Sequence, residues 1–509
     1  MNSSSSNIYI PPLVFTRKEI SIAGLRALVV FFALLVYAVL SIDLITNAQG
    51  LIAYTFLLLG YLYIEIRNLS KNESHLFWIN PVVLASIFTF VLAFGVTNVL
   101  YFMPEDVVSL VGLEPVATPW MNHLMLLVIL GACAMWVGYS SGVGRNIGRM
   151  LARSSLLRKW MSSSLRVNMH AIYACLVISF IARLLAINLG VYGYSSTYDQ
   201  LIAGAAYTQY LAMAQSFGQL ALVGVAIQCF APPRSSFSDR RLLWLVLGYE
   251  IIFGFLTGFK SAAVMPFIIV GIVYYSQRNR FPRWLIPAVV IGVMLAFAVI
   301  EPFRAARNED AGFVGTSHGG IVTTMTSAGS INADDGRERA STGLSFLARS
   351  NLTYIASLGI EYAANNELPV DSPKFLNDIL LAPAHALIPR LLWDSKPLQN
   401  IGLWYTNEIM GFDFYSSTAM SPFTYLNFAG GPMAVILGFL MVGIFQRGLF
   451  DGLRHFGGGG LIVLFGLLGT LVIIDSAFNT FFVGIIRYLP ILVVAQYVLL
   501  QRSRRSCAE

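Results

Sequence analysis

Charge is what this chain has least of. Only 12% of its 509 residues are Asp, Glu, Lys or Arg, about half the share of a soluble globular domain. That scarcity excludes an ordinary cytosolic enzyme and a disordered, charge-solvated tail. Cysteine is also scarce. Cys133, Cys175 and Cys229 fall inside apolar runs and Cys507 lies in the tail, a pattern that forms neither a disulfide framework nor a metal site. The P-loop, the dinucleotide-binding glycine pattern, H-E-x-x-H and C-x-x-C are missing as well. The expectation is a protein that works without a metal or another cofactor.

What the chain has in excess is apolar surface. Hydrophobic residues make up 56% of it and the mean hydropathy is +0.69. A bilayer is the solvent that accepts such a surface, at roughly 20 residues per crossing. Apolar runs occur at 23–42, 49–66, 79–102, 121–139, 170–190 and 206–230. The stretch 242–276 is too long for one crossing and divides at Gly258-Phe259-Lys260-Ser261. Further runs at 284–301, 430–447, 459–475 and 480–500 bring the expectation to about twelve spans. The first run lacks a small-residue cleavage site after it and reads as a retained span rather than a signal peptide.

The net charge of +7 does not point to nucleic acid, because the basic residues sit in short clusters between apolar runs. With the N-terminus inside the cell, most of the 33 Lys and Arg residues fall on cytoplasmic connections: Arg67 and Lys71; Arg145 to Arg166; Arg234 to Arg241; Arg278 to Arg283; Arg447 and Arg454; and the tail. The connection at 103–120 is acidic and has no basic residue. The positive-inside rule therefore favours an even number of spans with both termini cytoplasmic. The chain reads as all-α: a transmembrane bundle over 1–301, a large external connection over 302–429, and closing spans with a cytoplasmic tail over 430–509. In that connection, 311–343 is rich in Gly, Ser and Thr and reads as mobile. The remainder has helical spacing at Leu352, Ile355 and Leu358 and again at Phe375, Ile379 and Leu380, interrupted by prolines. These short helices are expected on the outer membrane surface, over the mouth of the bundle.

Charges within apolar spans are expensive and mark functional sites by default. Arg183, Lys260, Arg304 and Arg487 all fall towards the outer leaflet, with Glu250, Glu301 and Asp475 as available counter-charges. Two explanations stand: ion pairs that fix helix packing, or a shared anionic ligand. The block Leu387-Ile388-Pro389-Arg390-Leu391-Leu392-Trp393-Asp394-Ser395-Lys396-Pro397 sets Arg390 and Lys396 beside Trp393, with His385 just upstream. A guanidinium fork suits phosphate oxygens and an indole face suits a sugar. His385, Asp394 and Glu301 are the candidates for proton transfer.

That block, together with S-P-F-T-Y-L-N-F-A-G-G-P at 421–432 (which contains Tyr425) and G-F-K-S-A-A at 258–263, resembles the O-antigen polymerase (Wzy-type) family. The resemblance implies an inner-membrane glycosyltransferase of polysaccharide synthesis. Such enzymes join undecaprenyl-pyrophosphate-linked oligosaccharide repeat units on the periplasmic side, among membrane lipid, a flippase and a chain-length regulator as partners. On this reading Arg183, Lys260, Arg304, Arg390, Lys396 and Arg487 bind the pyrophosphate, and Trp393 and Tyr425 help hold the substrate. A ligase of related architecture and a transporter of lipid-linked sugars are the alternative readings. A transporter would more often carry internal repeats and charges at the bilayer midplane, and this sequence has neither.

Overall fold

In hydrocarbon every backbone N–H and C=O must be satisfied within the protein, so long apolar runs become helices. The computed structural model of this chain is all-helical. It describes residues 17–500 except 74–75, 105–106, 108–115, 162–166, 190, 194–197, 231–236, 279, 281, 310–341, 367–371, 389–391, 394–400, 412–417 and 473–476. The glycine-rich stretch expected to be mobile lies almost wholly outside the described residues, as do Arg390, Asp394, Lys396 and Asp475.

The first helices are α1 (Arg17–Ser41), α2 (Asn47–Asn72), α3 (Pro81–Phe102) and α4 (Pro119–Ser140). Then come the short α5 (Gly142–Arg153) and α6 (Ser155–Trp160). A second group follows: α7 (Met169–Asn188), α8 (Tyr198–Phe230), α9 (Phe237–Leu256), α10 (Lys260–Arg278) and α11 (Leu285–Glu309). Five short elements precede the closing helices: α12 (Thr342–Ser350), α13 (Thr353–Asn365), α14 (Phe375–Leu380), α15 (Ala382–Leu387) and α16 (Ile401–Trp404). The last three are α17 (Pro422–Arg454), α18 (Gly457–Val472) and α19 (Asn479–Leu499). Among the described residues, eight helices are long and apolar enough to cross a membrane: α1 to α4, α7, α8, α17 and α19. Helices α10, α11 and α18 are apolar but contribute shorter described segments.

The division expected at Gly258 is a real turn. Gly258 takes φ +71° there, and Gly258 N donates to Phe255 O. Two boundaries differ from the sequence expectation. Helix α11 runs on to Glu309, and α17 begins at Pro422, with the Ser421 hydroxyl accepting from Thr424 N. Helix α17 absorbs the early start through a break at Gly430–Gly431, where Gly431 has φ +67°. Only glycine enters that region without strain, and Pro432 follows it.

Small residues set the closest contact in the bundle. A Cβ on Gly443 of α17 would collide with the carbonyl oxygen of Met135 in α4, and one on Gly138 would collide with that of Leu440. Gly144 and Gly148 of α5 face the same helix further along. This is close approach through small residues, as expected where dispersion rather than water drives association. At the Arg-rich end, which we call the basic end, Arg447 bonds Glu73 at 2.7 Å, pairs with Asp451, and lies over the Tyr139 ring. Asn80 donates to Glu73 and to the Tyr139 hydroxyl, tying α3 into the network.

Towards the far end, α13 is embedded rather than laid across the surface. Leu352 N donates to Ala93 O. Asn98 in α3 accepts from Asn351 Nδ2 at 3.2 Å and Thr353 Oγ1 at 2.6 Å, and donates to Thr55 in α2. The Tyr405 hydroxyl accepts from Gly359 N and donates to Ile355 O, and Thr424 donates to Ala356 O. Thr353, Ala356, Ser357 and Gly359 make the helix thin and polar enough to enter the bundle, where it packs on α4 and α17. Helices α14 and α15 carry exposed apolar side chains: Leu380 and Leu387 are 68% and 64% exposed, and Leu392 beyond α15 is 80% exposed.

Candidate functional site

Helix α15 lies on α19, with Ala382 and Ala386 packed against Val483, Phe482 and Ile486. That packing fixes His385 above Arg487, eight residues into α19. An Arg487 Nη2 donates to the carbonyl oxygen of His385 at 3.4 Å. Its Nε is buried and has no hydrogen-bond partner among the described residues. No carboxylate pairs with this guanidinium among the described residues. The His385 side chain is itself buried, its ring 5.5 Å from that of Trp393.

A fourth group, not singled out by the sequence, completes the site. Asp378 on α14 is half-buried; burial pushes its carboxyl above the usual carboxylate range, and nearby His385 pulls it part of the way back. The same carboxyl lies within electrostatic reach of Tyr425. Asp378 and His385 are two helical turns apart in sequence, a spacing that places both on one side of a helix. Reading α14 and α15 as one amphipathic unit would have revealed it.

An aromatic layer holds α14 in place. The Phe375 ring stacks on Phe428 at 5.0 Å and meets Tyr425 and Trp404 edge-on at 5.1 and 5.6 Å. Tyr425 is fully buried and its hydroxyl donates to the carbonyl of Phe375 at 3.3 Å. Its link to the site therefore runs through the short helix that it anchors.

Arg183 belongs elsewhere. Its Nη2 bonds Glu250 Oε2 at 2.9 Å, with the two side chains 7% and 2% exposed. The guanidinium sits 4.7 Å from the Tyr249 ring centroid and 5.0 Å from that of Phe253. Among the described residues no contact joins it to Arg487 or His385. Of the two explanations for the intramembrane cations, packing is the one that this pair displays. Lys260 opens α10, and Glu301 and Arg304 lie on α11; their side chains are outside the described residues. The structure thus brings together His385, Trp393, Arg487 and, through Phe375, Tyr425, and sets Arg183 apart with its own counter-ion.

This arrangement can hold an anion at the level of an apolar helix, with a sugar-sized aromatic face beside it and a carboxyl group poised to take a proton. Residues 162–501, more than half of the chain, match a family described as a domain of unknown function (DUF8712). Comparison with curated proteins and with solved structures found no match. The match includes α7 to α19 and every member of the site.

Proposed function

The chain belongs to the DUF8712 family, and from the chemistry of its site we propose that it is a membrane glycosyltransferase that joins lipid-pyrophosphate-linked oligosaccharide units. The observation that carries the proposal is Arg487. It is a guanidinium within an apolar helix that is satisfied only by one carbonyl, with its Nε unpartnered among the described residues. A buried cation without a carboxylate is costly unless an anion arrives to pair with it. The exposed Leu380 and Leu387 of α14 and α15, and Leu392 after them, supply an apolar surface for a polyprenyl tail, and Trp393 a face for a sugar.

In the reaction, a hydroxyl oxygen of the acceptor sugar bonds to the anomeric carbon of the donor. The anomeric carbon–oxygen bond to pyrophosphate breaks, and the electron pair leaves with the lipid pyrophosphate. Arg487 stabilises the charge that develops there. Asp378 takes the hydroxyl proton, since a carboxyl whose pKa burial raises is a better base than an ordinary one. His385 holds that carboxyl electrostatically, and Lys260, Arg304, Arg390 and Lys396 are further candidates for the phosphates. The topology that goes with this reading has twelve crossings, α1 to α4, α7 to α11 and α17 to α19. The basic end faces the cytoplasm, as the positive-inside rule requires, and residues 310–421 face the periplasm.

The test is a deletion of the gene in the source cell complemented by Arg487→Ala, Arg487→Lys or the wild type. Polymer length, lipid-linked single units and protein abundance are measured on the same membranes. The proposal expects stable Arg487→Ala protein, accumulated single units and no ladder, with Arg487→Lys impaired. A normal ladder from stable Arg487→Ala protein overturns it.

A further inference from the structure

At the opposite, basic end of the second helix group lies a cavity of about 860 Å³. Its walls come from α8 to α11. Leu243, Leu247, Phe267 and Val270 line it with hydrocarbon, and Arg240, Arg278 and Arg280 bring three guanidinium groups to it. Among the described residues that line it none is acidic, and Asp239 lies within electrostatic reach of Cys229 in the wall. Phe230, Tyr274 and Trp284 form a continuous aromatic wall, with ring centroids 5.1 and 6.5 Å apart. Trp244 and Trp284 are 70% and 42% exposed, and Leu245 beside them is 70% exposed. The cavity is therefore apolar within, cationic at one rim and open past an indole belt.

We propose that this cavity binds the head group and upper acyl chains of an anionic glycerophospholipid. Tryptophan and tyrosine at the end of an apolar helix mark the water–hydrocarbon boundary, and basic side chains on that level attract anionic head groups. A small soluble anion would need the guanidinium rim but not the hydrocarbon wall or the exposed indoles. A neutral lipid would need the wall but not three guanidinium groups at its rim. An anionic lipid uses both. The site lies at the other end of the helices from His385 and Arg487, and the proposal does not depend on the glycosyltransferase reading.

The test uses the full chain, purified and returned to phosphatidylcholine nanodiscs, with trace phosphatidylglycerol or phosphatidylcholine carrying brominated acyl chains as the probe. Bromine quenches tryptophan on contact. The proposal expects brominated phosphatidylglycerol to quench at a lower mole fraction than brominated phosphatidylcholine. It also expects this preference to be lost in Trp244→Phe/Trp284→Phe, whose cavity charges are intact. Arg278→Gln/Arg280→Gln should weaken the preference by about fivefold per charge removed. Arg149→Gln/Arg153→Gln on α5, equally basic but outside the cavity, should leave it unchanged. Equal quenching by the two lipids in the wild type overturns the proposal. So does a preference that survives the Trp244→Phe/Trp284→Phe change, or an equal loss in the α5 variant. Displacement of the brominated phosphatidylglycerol by polyprenyl phosphate at a lower mole fraction than by unlabelled phosphatidylglycerol overturns the choice of lipid.

Discussion

Replacing Glu250 by leucine should unfold the second helix group while replacing Arg183 and Glu250 together should not. The pair is a 2.9 Å contact between side chains that are 7% and 2% exposed. In Glu250→Leu the guanidinium stays buried with no counter-ion, and its Nη1 already lacks a partner. Breaking a buried pair from one side costs about 3–5 kcal/mol. The faces of Tyr249 and Phe253 stay against the bare guanidinium and soften the loss. The expected loss is therefore near the lower end, about 3 kcal/mol, or roughly a hundredfold in the folding equilibrium. Arg183→Met/Glu250→Leu removes both charges and keeps similar volume, which is close to neutral for many buried pairs. The coupling energy of the cycle should then be at least about 3 kcal/mol. Thermal unfolding of detergent-purified protein, with membrane abundance alongside, reads both quantities. A Glu250→Leu protein that melts with the wild type refutes the reasoning, and so does a double variant no better than the worse single. Polymer should persist in the double variant, because Arg183 is already neutralised. Its loss from stable protein would return Arg183 to the anion site.

Three further outcomes follow from the geometry. Gly443→Ala drives a methyl group onto the Met135 carbonyl and should cut folded yield several-fold despite alanine's better helix propensity, whereas Gly60→Ala, with nothing within 4 Å, should not. Asn98→Leu strips Asn351 and Thr353, at the start of α13, of their buried partner and should cost about 1–3 kcal/mol, read as faster protease cleavage between α13 and α14. The Asp378 carboxyl must be ionised to accept a proton, and burial raises its pKa, so transfer should fall as pH drops through a value above the ordinary carboxylate range. Asp378→Asn should remove that acid limb and most of the activity; an unchanged pH profile assigns the base elsewhere.

Much of the fold was legible because the bilayer demands long apolar helices with few charges. The turn at Gly258 was legible for the same reason, since an uninterrupted run of that length exceeds a crossing. What escaped the sequence was contact between distant residues. Glu250 stood as one of several counter-charges for Arg183, and only the packing of α7 against α8 and α9 selects it. Helix α13 looked like a surface segment because it is short, only moderately apolar and followed by prolines. Its small and hydroxyl-bearing positions are what let it enter the bundle, and their partners Asn98, Tyr405 and Thr424 lie far away in the chain. At the site, His385, Trp393 and Arg487 were named from chemistry alone. Asp378 was not, because it lies on a separate short helix, and its two-turn spacing from His385 shows only when α14 and α15 are taken as one unit.

The most direct measurement uses purified wild-type protein in liposomes charged with the source cell's undecaprenyl-pyrophosphate-linked oligosaccharide. Lipid pyrophosphate released and saccharide length are followed together. The account predicts one undecaprenyl pyrophosphate freed for each new glycosidic bond, with longer saccharides remaining lipid-linked, and neither product from Arg487→Ala. Saccharide that crosses the bilayer unextended, or chain growth that Arg487→Ala sustains at the wild-type rate, would contradict it.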